Sequence, residues 1–415
     1  MKSLFILICI LIAVGMASVL PSLLLYYQFL SNPFQYRIAS GLQNNNYSPP
    51  IIFKNATNLT NNPGDSVYGQ VAASNSHVYV VWQDSVSSAN RDYDIFIRNS
   101  ADNGTTFGLP LNLSNNTGFS EHPQIAAYGN NVYVIWADNT SGNREVLFTK
   151  SVDNGRTFDG VRNLSNNTSD SFNQEMAVFG DNVYVVWLDQ NEDGTNILLR
   201  ASADGGVTFG RTINISSNAN DGTFPKVAAY GTSVYIAWNM VDNELGGRDN
   251  DGLFFVRSSD GGKTIDNVLK LNEGNDFGEP QVAALNNTVY VISGGLPSTE
   301  VNGLFFTKST DGGKSFSQPE IISANGTFVN PLNVEMVAPD VESLYVVGEV
   351  FVSGNQDILL LEMTGNNPTR ILNLSNNSNT SECSSIAMAG NNIYVVWEDL
   401  TPGNHEILYA KGVRA

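Results

Sequence analysis

Three arginines lie in polar loops between β-type segments, where they could act together on an anionic ligand: Arg91, Arg144 and Arg248. A guanidinium group forms paired hydrogen bonds with carboxylate or sulfate oxygens. Three of them on one face would therefore bind a carboxylate- or sulfate-bearing ligand. The alternative is that each is a solvated loop charge beside an acidic neighbour, these being Asp92, Glu145 and Asp249.

Four aspartates form a second candidate group, because each follows a repeated tryptophan: Asp84, Asp138, Asp189 and Asp399. A ring of carboxylates near the mouth of a channel can hold a cation. Their recurrence at one place in a repeat also fits a structural role. In that role each carboxylate ends a strand or binds the backbone of its loop.

The histidines and cysteines predict no further site. His77, His122 and His405 fall in different repeats, and the two cysteines, Cys9 and Cys383, are far apart in the sequence. We expect no disulfide, no metal site and no cofactor. The sequence also contains no glycine-rich phosphate loop between a strand and a helix, and no serine nucleophile elbow.

One strand signature, VYVVWQD in its first copy at residues 78–84, occurs seven times. It defines where the candidate residues lie within each repeat. Its tyrosines are spaced by 54, 51, 51, 55, 55 and 49 residues, and they are Tyr79, Tyr133, Tyr184, Tyr235, Tyr290, Tyr345 and Tyr394. Each repeat contains four short segments rich in Val, Ile, Tyr, Phe and Trp, separated by Asn, Asp, Gly and Ser. A period of this length in an all-β chain predicts a seven-bladed β-propeller with four-stranded antiparallel blades.

The two ends of the exported chain predict how the ring closes. The last repeat stops after its third strand, at residues 406–412. Residues 51–59 resemble the fourth strand of the other repeats. The N-terminal strand is therefore expected to complete the last blade, which leaves no exposed sheet edge.

A second motif, Ser-x-Asp-x-Gly-x-Thr/Ser-Phe, recurs between the third and fourth strands. The Asp carboxylate can accept backbone N–H groups in the turn, and the glycine supplies a positive φ. We call these five segments the Ser-Asp-Gly turns; in the fourth, Ile265 replaces the phenylalanine. Their predicted structural residues are Ser100, Asp102, Gly104, Phe107, Ser151, Asp153, Gly155, Phe158, Ser202, Asp204, Gly206, Phe209, Ser258, Asp260, Gly262, Ser309, Asp311, Gly313 and Phe316.

The motif resembles the Asp-box, or BNR repeat, of the sialidase superfamily. The resemblance implies a propeller whose boxes lie on the face opposite the active site. It also implies a possible sialidase activity, which needs three arginines around the substrate carboxylate, a tyrosine nucleophile assisted by glutamate, and an acid/base aspartate. Family sialidases usually have six blades, whereas seven are predicted here.

The residues that such an activity requires are not evident. Arg37 is the nearest match to the family's first arginine, but it precedes the first propeller strand. Tyr68 and Tyr93 are the only tyrosines expected in loops on the ligand side, and neither has a distinctive glutamate partner. The catalytic residues are therefore unassigned, and the candidate ligand-binding residues remain Arg91, Arg144 and Arg248.

The N-terminus predicts export and membrane attachment. Residues 4–27 are almost wholly apolar, long enough to cross a bilayer as one helix. Lys2 precedes this run, which places the N-terminus in the cytoplasm and the propeller outside the cell. We expect residues 1–30 to be an anchor or an uncleaved signal, residues 31–50 a linker and residues 51–415 the propeller. A cleaved signal peptide is the alternative.

The composition restricts the partners. Forty acidic against 21 basic residues give a net charge of −19, which excludes a nucleic acid as a plausible ligand. Asn-x-Ser/Thr triplets suggest a glycoprotein, although a chain rich in Asn produces them by chance. They begin at Asn55, Asn58, Asn112, Asn115, Asn163, Asn166, Asn214, Asn325, Asn373, Asn376 and Asn379.

Three functions remain open from the sequence. The first is an extracellular, membrane-anchored propeller that binds a glycan or a surface partner without chemistry. The second is an exo-glycosidase resembling sialidases, and the third is a structural protein of the cell envelope. The fold alone does not choose among them, because propellers have many functions. The sequence makes no prediction of oligomeric state.

Overall fold

The structure is a computed structural model that describes residues 51–87, 90–192, 194–216, 222–240, 252–273, 277–295, 303–322, 333–352 and 354–414. These residues form seven antiparallel sheets of four main strands. The innermost strands of neighbouring blades contact each other in an unbroken ring. The predicted all-β, seven-bladed propeller is therefore confirmed.

Each blade begins with an innermost strand and continues outward through a second strand. The innermost strands are β3 (Ser66–Ser74), β7 (Ser120–Tyr128), β11 (Asp170–Phe179), β15 (Gly222–Tyr230), β19 (Phe277–Leu285), β23 (Glu335–Val337) and β27 (Ser381–Ala389). The second strands are β4 (His77–Ser87), β8 (Asn131–Asp138), β12 (Asn182–Asn191), β16 (Ser233–Met240), β20 (Thr288–Gly295), β24 (Ser343–Val352) and β28 (Asn392–Asp399). We number the blades 1 to 7 in this order.

The outer half of each blade contains the third and fourth strands. The third strands are β5 (Asn90–Ser100), β9 (Glu145–Ser151), β13 (Gly194–Ser202), β17 (Gly252–Ser258), β21 (Gly303–Ser309), β25 (Asn355–Thr364) and β29 (Glu406–Arg414). The fourth strands of blades 1 to 6 are β6 (Leu111–Asn112), β10 (Arg162–Asn163), β14 (Ile213–Asn214), β18 (Leu269–Glu273), β22 (Glu320–Ile322) and β26 (Asn367–Asn373).

Blade 7 is completed by the N-terminal segment, as predicted. Strands β1 (Ile51–Phe53) and β2 (Thr57–Asn58) both pair with β29. The first register pair joins Ile51 to Arg414. The ring is thus closed by hydrogen bonds between the two ends of the propeller.

The repeated strand signature forms the core between the blades. Its seven tyrosines and the five tryptophans at the same level are at most 2% exposed. Each pair of neighbouring sheets buries a mixed cluster of these aromatic rings and aliphatic side chains. Large aromatic side chains contribute much of the buried apolar area, so these positions account for the strong repeat in the sequence.

The five Ser-Asp-Gly turns share one hydrogen-bond pattern. In the first, Ser100 Oγ lies 2.8 Å from Asp102 Oδ1, and Gly104 N donates to Ser100 Oγ at 2.9 Å. The backbone amide and hydroxyl of Thr106 also donate to the Asp102 carboxylate. These bonds hold the pKa of Asp102 well below its usual range. The same bonds recur around Asp153, Asp204, Asp260 and Asp311.

Ser-Asp-Gly turns also accept hydrogen bonds from side chains of the preceding blade. Lys150 Nζ donates to Gly205 O at 3.0 Å, and Arg257 Nη1 donates to Gly312 O at 2.8 Å. The hydroxyl of Tyr409 in blade 7 donates to Gly104 O in blade 1 at 3.1 Å. Lys150 and Arg257, near the ends of their third strands, thus have structural roles.

Two glycines in these turns distinguish the cost of backbone strain from the cost of a steric contact. Gly261 has φ 78° with nothing within 4 Å of an added Cβ, whereas a Cβ on Gly313, at φ 79°, would lie 2.9 Å from Phe255 Cζ. We expect Gly261→Ala to lower the free energy of unfolding by about 1–2 kcal/mol through φ alone. Gly313→Ala should cost about 2–4 kcal/mol because the contact adds to the strain. Urea denaturation of both variants measures the difference, and equal losses would contradict it.

The predicted membrane anchor falls outside the described residues. Within the described ranges, the chain has no helix that is long and apolar enough to cross a bilayer. Residues 1–50, which contain the predicted anchor and linker, are not among them. Membrane attachment therefore stays a prediction.

Candidate functional site

The two ends of the propeller are chemically different. The Ser-Asp-Gly turns lie at one end, beside the hairpins between first and second strands, and Asn154 N donates to Asn130 O there. We call this end the turn face. The opposite end, which we call the loop face, contains the starts of the innermost strands and the loops between second and third strands. The Asp-box resemblance predicts a site on the loop face, and this stays a prediction.

A β-bulge marks the start of six innermost strands on the loop face, where the register with the second strand shifts. Five bulges hold a non-glycine residue with φ between 50° and 53°: Tyr68, His122, Asn173, Phe224 and Cys383. We call these the bulge residues. A bulge redirects a side chain, and a strained φ costs about 1–3 kcal/mol. This costly geometry therefore presents a different side chain from each of five blades.

Tyr68 and His122 form the centre of the candidate site. Their ring centroids are 4.2 Å apart at an interplanar angle of 55°. Tyr68 remains 38% exposed although its ring contacts a neighbouring blade. Two aromatic rings from blades 1 and 2 thus form one partly exposed platform.

Side chains of the preceding blade hold three bulges in place. Tyr68 N donates to Glu398 Oε1 at 2.5 Å. His122 N donates to Gln83 Oε1 at 2.7 Å, and Cys383 N donates to Glu349 Oε1 at 2.6 Å. The three acceptors occupy the same position of the second strand. Each directly follows the repeated tryptophan or, in blade 6, the residue that replaces it. The bulge geometry is therefore supported across blade boundaries.

Charged side chains of blades 7 and 2 surround the aromatic pair. Arg144 Nε lies 3.1 Å from Glu121 Oε1, and His122 Nδ1 lies 4.0 Å from Glu121 Oε2. His405 Nδ1 lies 3.5 Å from Glu398 Oε2 and 3.9 Å from Glu382 Oε1. We call this group the Tyr68 cluster; it consists of Tyr68, Glu121, His122, Arg144, Glu382, Glu398 and His405.

Burial and charge set the protonation states in the Tyr68 cluster. Burial, with Cys383 and the carboxylates of Glu398, Glu121 and Glu382, raises the pKa of Tyr68, so its hydroxyl stays protonated. Burial and the Arg144 guanidinium lower the pKa of His122 to about 4. At neutral pH Tyr68 therefore offers a phenolic hydroxyl and His122 offers a neutral imidazole.

A second charged network, which we call the channel network, is formed by side chains of innermost strands. Lys226 Nζ is 2.5 Å from Glu175 Oε1 and 3.6 Å from Glu279 Oε2. Glu335 belongs to the same network, and burial raises its pKa to about 7 despite the opposing effect of Lys226. These residues belong to blades 3 to 6. Lys226 thus interacts electrostatically with glutamates from the innermost strands of three other blades.

The structure places only one predicted arginine in this site. Arg144 lies on the loop face, and its backbone N–H also donates to Asp170 Oδ1 at 2.9 Å. Arg91 belongs to β5, but its side chain is outside the described part of the chain, and Arg248 and Arg37 are wholly outside it. The three-arginine cluster therefore stays a prediction.

The four aspartates after the repeated tryptophan lie within their own blades. Asp138 Oδ2 accepts hydrogen bonds from Asn116 Nδ2 and Ser120 Oγ, both at 2.7 Å, and from Trp136 Nε1 at 3.3 Å. Asp84, Asp189 and Asp399 accept equivalent bonds from the Asn and Ser of their repeats. Their donors are protein groups, which favours the structural alternative over a cation ring.

Several Asn-x-Ser/Thr triplets belong to the same structural network. Asn112 Nδ2, the atom that a glycan would occupy, donates to Asp94 Oδ2 at 2.8 Å. Asn373 Nδ2 donates to Asp357 Oδ2 at 2.8 Å. The serine of each triplet accepts a backbone N–H from the third strand. These triplets recur because they build the loop between blades, whereas Asn115, Asn166 and Asn376 are exposed.

Sequence reasoning misses the partners of Tyr68. It finds no glutamate for this tyrosine and no site for the histidines, yet Glu398, His122 and His405 all lie in the Tyr68 cluster. Tyr93 instead packs against Phe119, with centroids 5.3 Å apart. The available signal is the repeat itself, because the bulge position carries a different residue in each of the five blades.

Comparison with known proteins supports the fold. No protein-family model and no curated protein matches the chain. A solved structure described as polysaccharide lyase Uly1 matches with a TM-score of 0.56 and 11% identity, covering 83% of this chain and 89% of Uly1. The endosialidase of phage phi92 matches with a TM-score of 0.51 and 10% identity, covering 87% and 69%.

Sialidase structures also match, over part of their length. Trypanosoma rangeli sialidase gives a TM-score of 0.48 and 16% identity, covering 73% of this chain and 56% of the sialidase. The chain spans about half the length of such sialidase chains, 54% in another of them. At these identities the likeness is one of fold. The chain is a β-propeller similar in fold to Uly1 and to the phage phi92 endosialidase.

Proposed function

We propose that this protein is an exported, membrane-anchored propeller that binds a glycan at the Tyr68 cluster without cleaving it. The observation that carries the proposal is the pair of Tyr68 and His122, with centroids 4.2 Å apart, among the carboxylates of Glu121, Glu382 and Glu398. Aromatic rings can pack against the apolar faces of sugars, and carboxylates accept hydrogen bonds from sugar hydroxyls.

The position of the cluster suits this role. It lies where blades 7, 1 and 2 meet on the loop face, and rigid strands hold each side chain. Ligand sites commonly combine aromatic side chains with a few fixed polar groups. The solved structures of similar fold include proteins named as a polysaccharide lyase and an endosialidase, which supports a glycan as the ligand class.

The chain enters the propeller on the face opposite the proposed site. Ile51 pairs with Arg414 at the turn-face end of blade 7. The predicted anchor at residues 4–27 precedes this entry point in the sequence. Alkaline carbonate extraction tests the anchor: the full chain should stay with the membrane, and release of the chain would contradict attachment.

A screen of hydroxyl-rich glycans with the purified full chain tests the binding proposal. For a selected glycan, we expect Tyr68→Ala to weaken binding by at least about tenfold, because the platform loses a central aromatic contact. Tyr68→Phe keeps the ring and should retain most of the affinity. Isothermal titration calorimetry measures both.

The matched control is Tyr128→Ala. Tyr128 is 44% exposed and ends an innermost strand on the turn face. This variant should bind like the unmodified chain. Equal affinities for the Tyr68→Ala and Tyr128→Ala variants would contradict a glycan site at the Tyr68 cluster.

Hydrolysis resembling that of sialidases is the second candidate function. Its support is the contact of Tyr68 with a glutamate, Glu398, through the Tyr68 amide. Against it, Arg144 is the one arginine in the cluster among described residues, and its guanidinium is paired with Glu121. We expect no turnover of a fluorogenic sialoside. Turnover that disappears in the Tyr68→Phe variant would establish hydrolysis instead of binding alone.

A further inference from the structure

Blade 7 contains a pair of glutamates that its repeat does not explain. Glu382 on β27 lies directly opposite Glu398 on β28 in the antiparallel register. The corresponding pairs in blades 1 and 2 are Val67 with Gln83 and Glu121 with Ala137. Like charges directly opposite each other destabilise a sheet, so this pair requires compensation.

The glutamate pair is also partly removed from water. The side chain of Glu398 is 5% exposed and that of Glu382 is 32% exposed. A desolvated carboxylate needs a counter-charge or several donors. Among the described residues, no lysine or arginine forms an ion pair with either glutamate, and Arg144 is occupied by Glu121.

His405 is the third side chain of this group, beside the two glutamates. Its Nδ1 atom is buried and has no hydrogen-bond partner, although it faces both carboxylates. It lies 3.5 Å from Glu398 Oε2 and 3.9 Å from Glu382 Oε1. These separations are long for a hydrogen bond. Two ligands of a tetrahedral Zn²⁺, each at about 2.1 Å, stand about 3.4 Å apart.

We propose that Glu382, Glu398 and His405 form a binding site for one divalent transition-metal ion of the zinc class. One oxygen of each carboxylate and the ring nitrogen all lie within 4.8 Å of one another, so small side-chain rotations would bring all three into contact with one ion. Imidazole nitrogen with two carboxylate oxygens suits zinc. Three protein ligands leave the fourth position to water or to a ligand, as in zinc sites that carry out chemistry.

This site goes beyond glycan binding and revises the expectation from the sequence, where no metal site is predicted. The ligands are 16 and 7 residues apart along the chain, a spacing without a known zinc pattern. The strand pairing of blade 7 brings them together. The three ligands also belong to the Tyr68 cluster, so the metal site shares two carboxylates with the proposed glycan site. Metal binding is measured without any glycan, so failure of the metal site and failure of the glycan site give different results.

Equilibrium dialysis of the purified full chain against Zn²⁺, after treatment with a chelator, tests the site. We expect one Zn²⁺ per chain. His405→Gln and Glu382→Gln should each weaken zinc binding by at least about tenfold, because each removes one of three ligands. His77→Gln is the control, since His77 lies in a hairpin on the turn face and should leave binding unchanged.

Circular dichroism verifies that the variants remain folded, and Glu382→Gln serves as the decisive variant if His405→Gln misfolds. Zinc should also raise the thermal midpoint of the unmodified chain and of His77→Gln, but not that of Glu382→Gln. Absence of zinc from the unmodified chain would overturn the proposal. Equal zinc binding by the unmodified chain and by Glu382→Gln would overturn it as well.

Discussion

Replacing Lys226 by methionine is expected to lower the free energy of unfolding by about 3–5 kcal/mol. The methionine keeps most of the apolar stem but removes the charge next to Glu175, Glu279 and Glu335. The side chains of Lys226 and Glu175 are 14% and 18% exposed, so water only partly replaces the lost partner. Urea denaturation of the full-length chain at pH 7 measures the effect.

The double variant Lys226→Met with Glu175→Gln separates charge from packing. It removes the nearest uncompensated carboxylate together with the lysine, so it should be more stable than Lys226→Met alone. A lower pH should also reduce the defect, because the folded-state pKa of Glu335 is about 7 and protonation removes one of the repelling charges. A loss below about 1 kcal/mol for Lys226→Met would contradict the account of the channel network.

Asp138→Ala is expected to cost about 3–5 kcal/mol, the second large effect. Asp138 is 2% exposed and accepts bonds from Asn116, Ser120 and Trp136, as well as from the backbone N–H of Thr140. Alanine leaves these donors without their acceptor, and each unsatisfied buried donor costs about 1–3 kcal/mol before relaxation. Chemical denaturation measures the loss.

Asp181→Ala provides the matched control, because Asp181 is exposed in a hairpin of the next blade. It should change stability by less than about 0.5 kcal/mol. Burial opposes ionisation of Asp138, but the hydrogen bonds from Thr140, Ser120 and Asn116 lower its pKa overall. Its contribution is therefore complete above the unfolded pKa and is lost as the pH falls through the lower folded pKa. Similar losses for both variants would contradict the role of Asp138.

The sequence predicts the fold because the fold is encoded locally and repeatedly. Tyr133 and Trp136 lie in one strand, and a Ser-Asp-Gly turn follows the repeated tyrosine in each of the first five blades. The closing strand is predictable for the same reason. Residues 51–59 match the fourth strands of the other repeats, and the last repeat has no fourth strand of its own after β29. Each of these features needs only a short segment and its period.

The site is harder to predict because ring closure brings its residues together. Glu398 is 330 residues from Tyr68, although its carboxylate accepts the Tyr68 N–H. Arg144 is predicted on the correct face because the repeat defines its loop, but its pairing with Glu121 depends on the bulge in β7. The positive φ value at Tyr68 leaves no compositional signal, because tyrosine is not typical of that conformation.

Hydroxyl-radical footprinting of the full chain, with and without a glycan selected in the screen, tests the central claim most directly. The account predicts that the glycan protects Tyr68 and His122 on the loop face, while the exposed Tyr128 on the turn face keeps its reactivity. Protection of Tyr128 with unchanged oxidation of Tyr68 and His122 would place the ligand on the opposite face and contradict the proposed site.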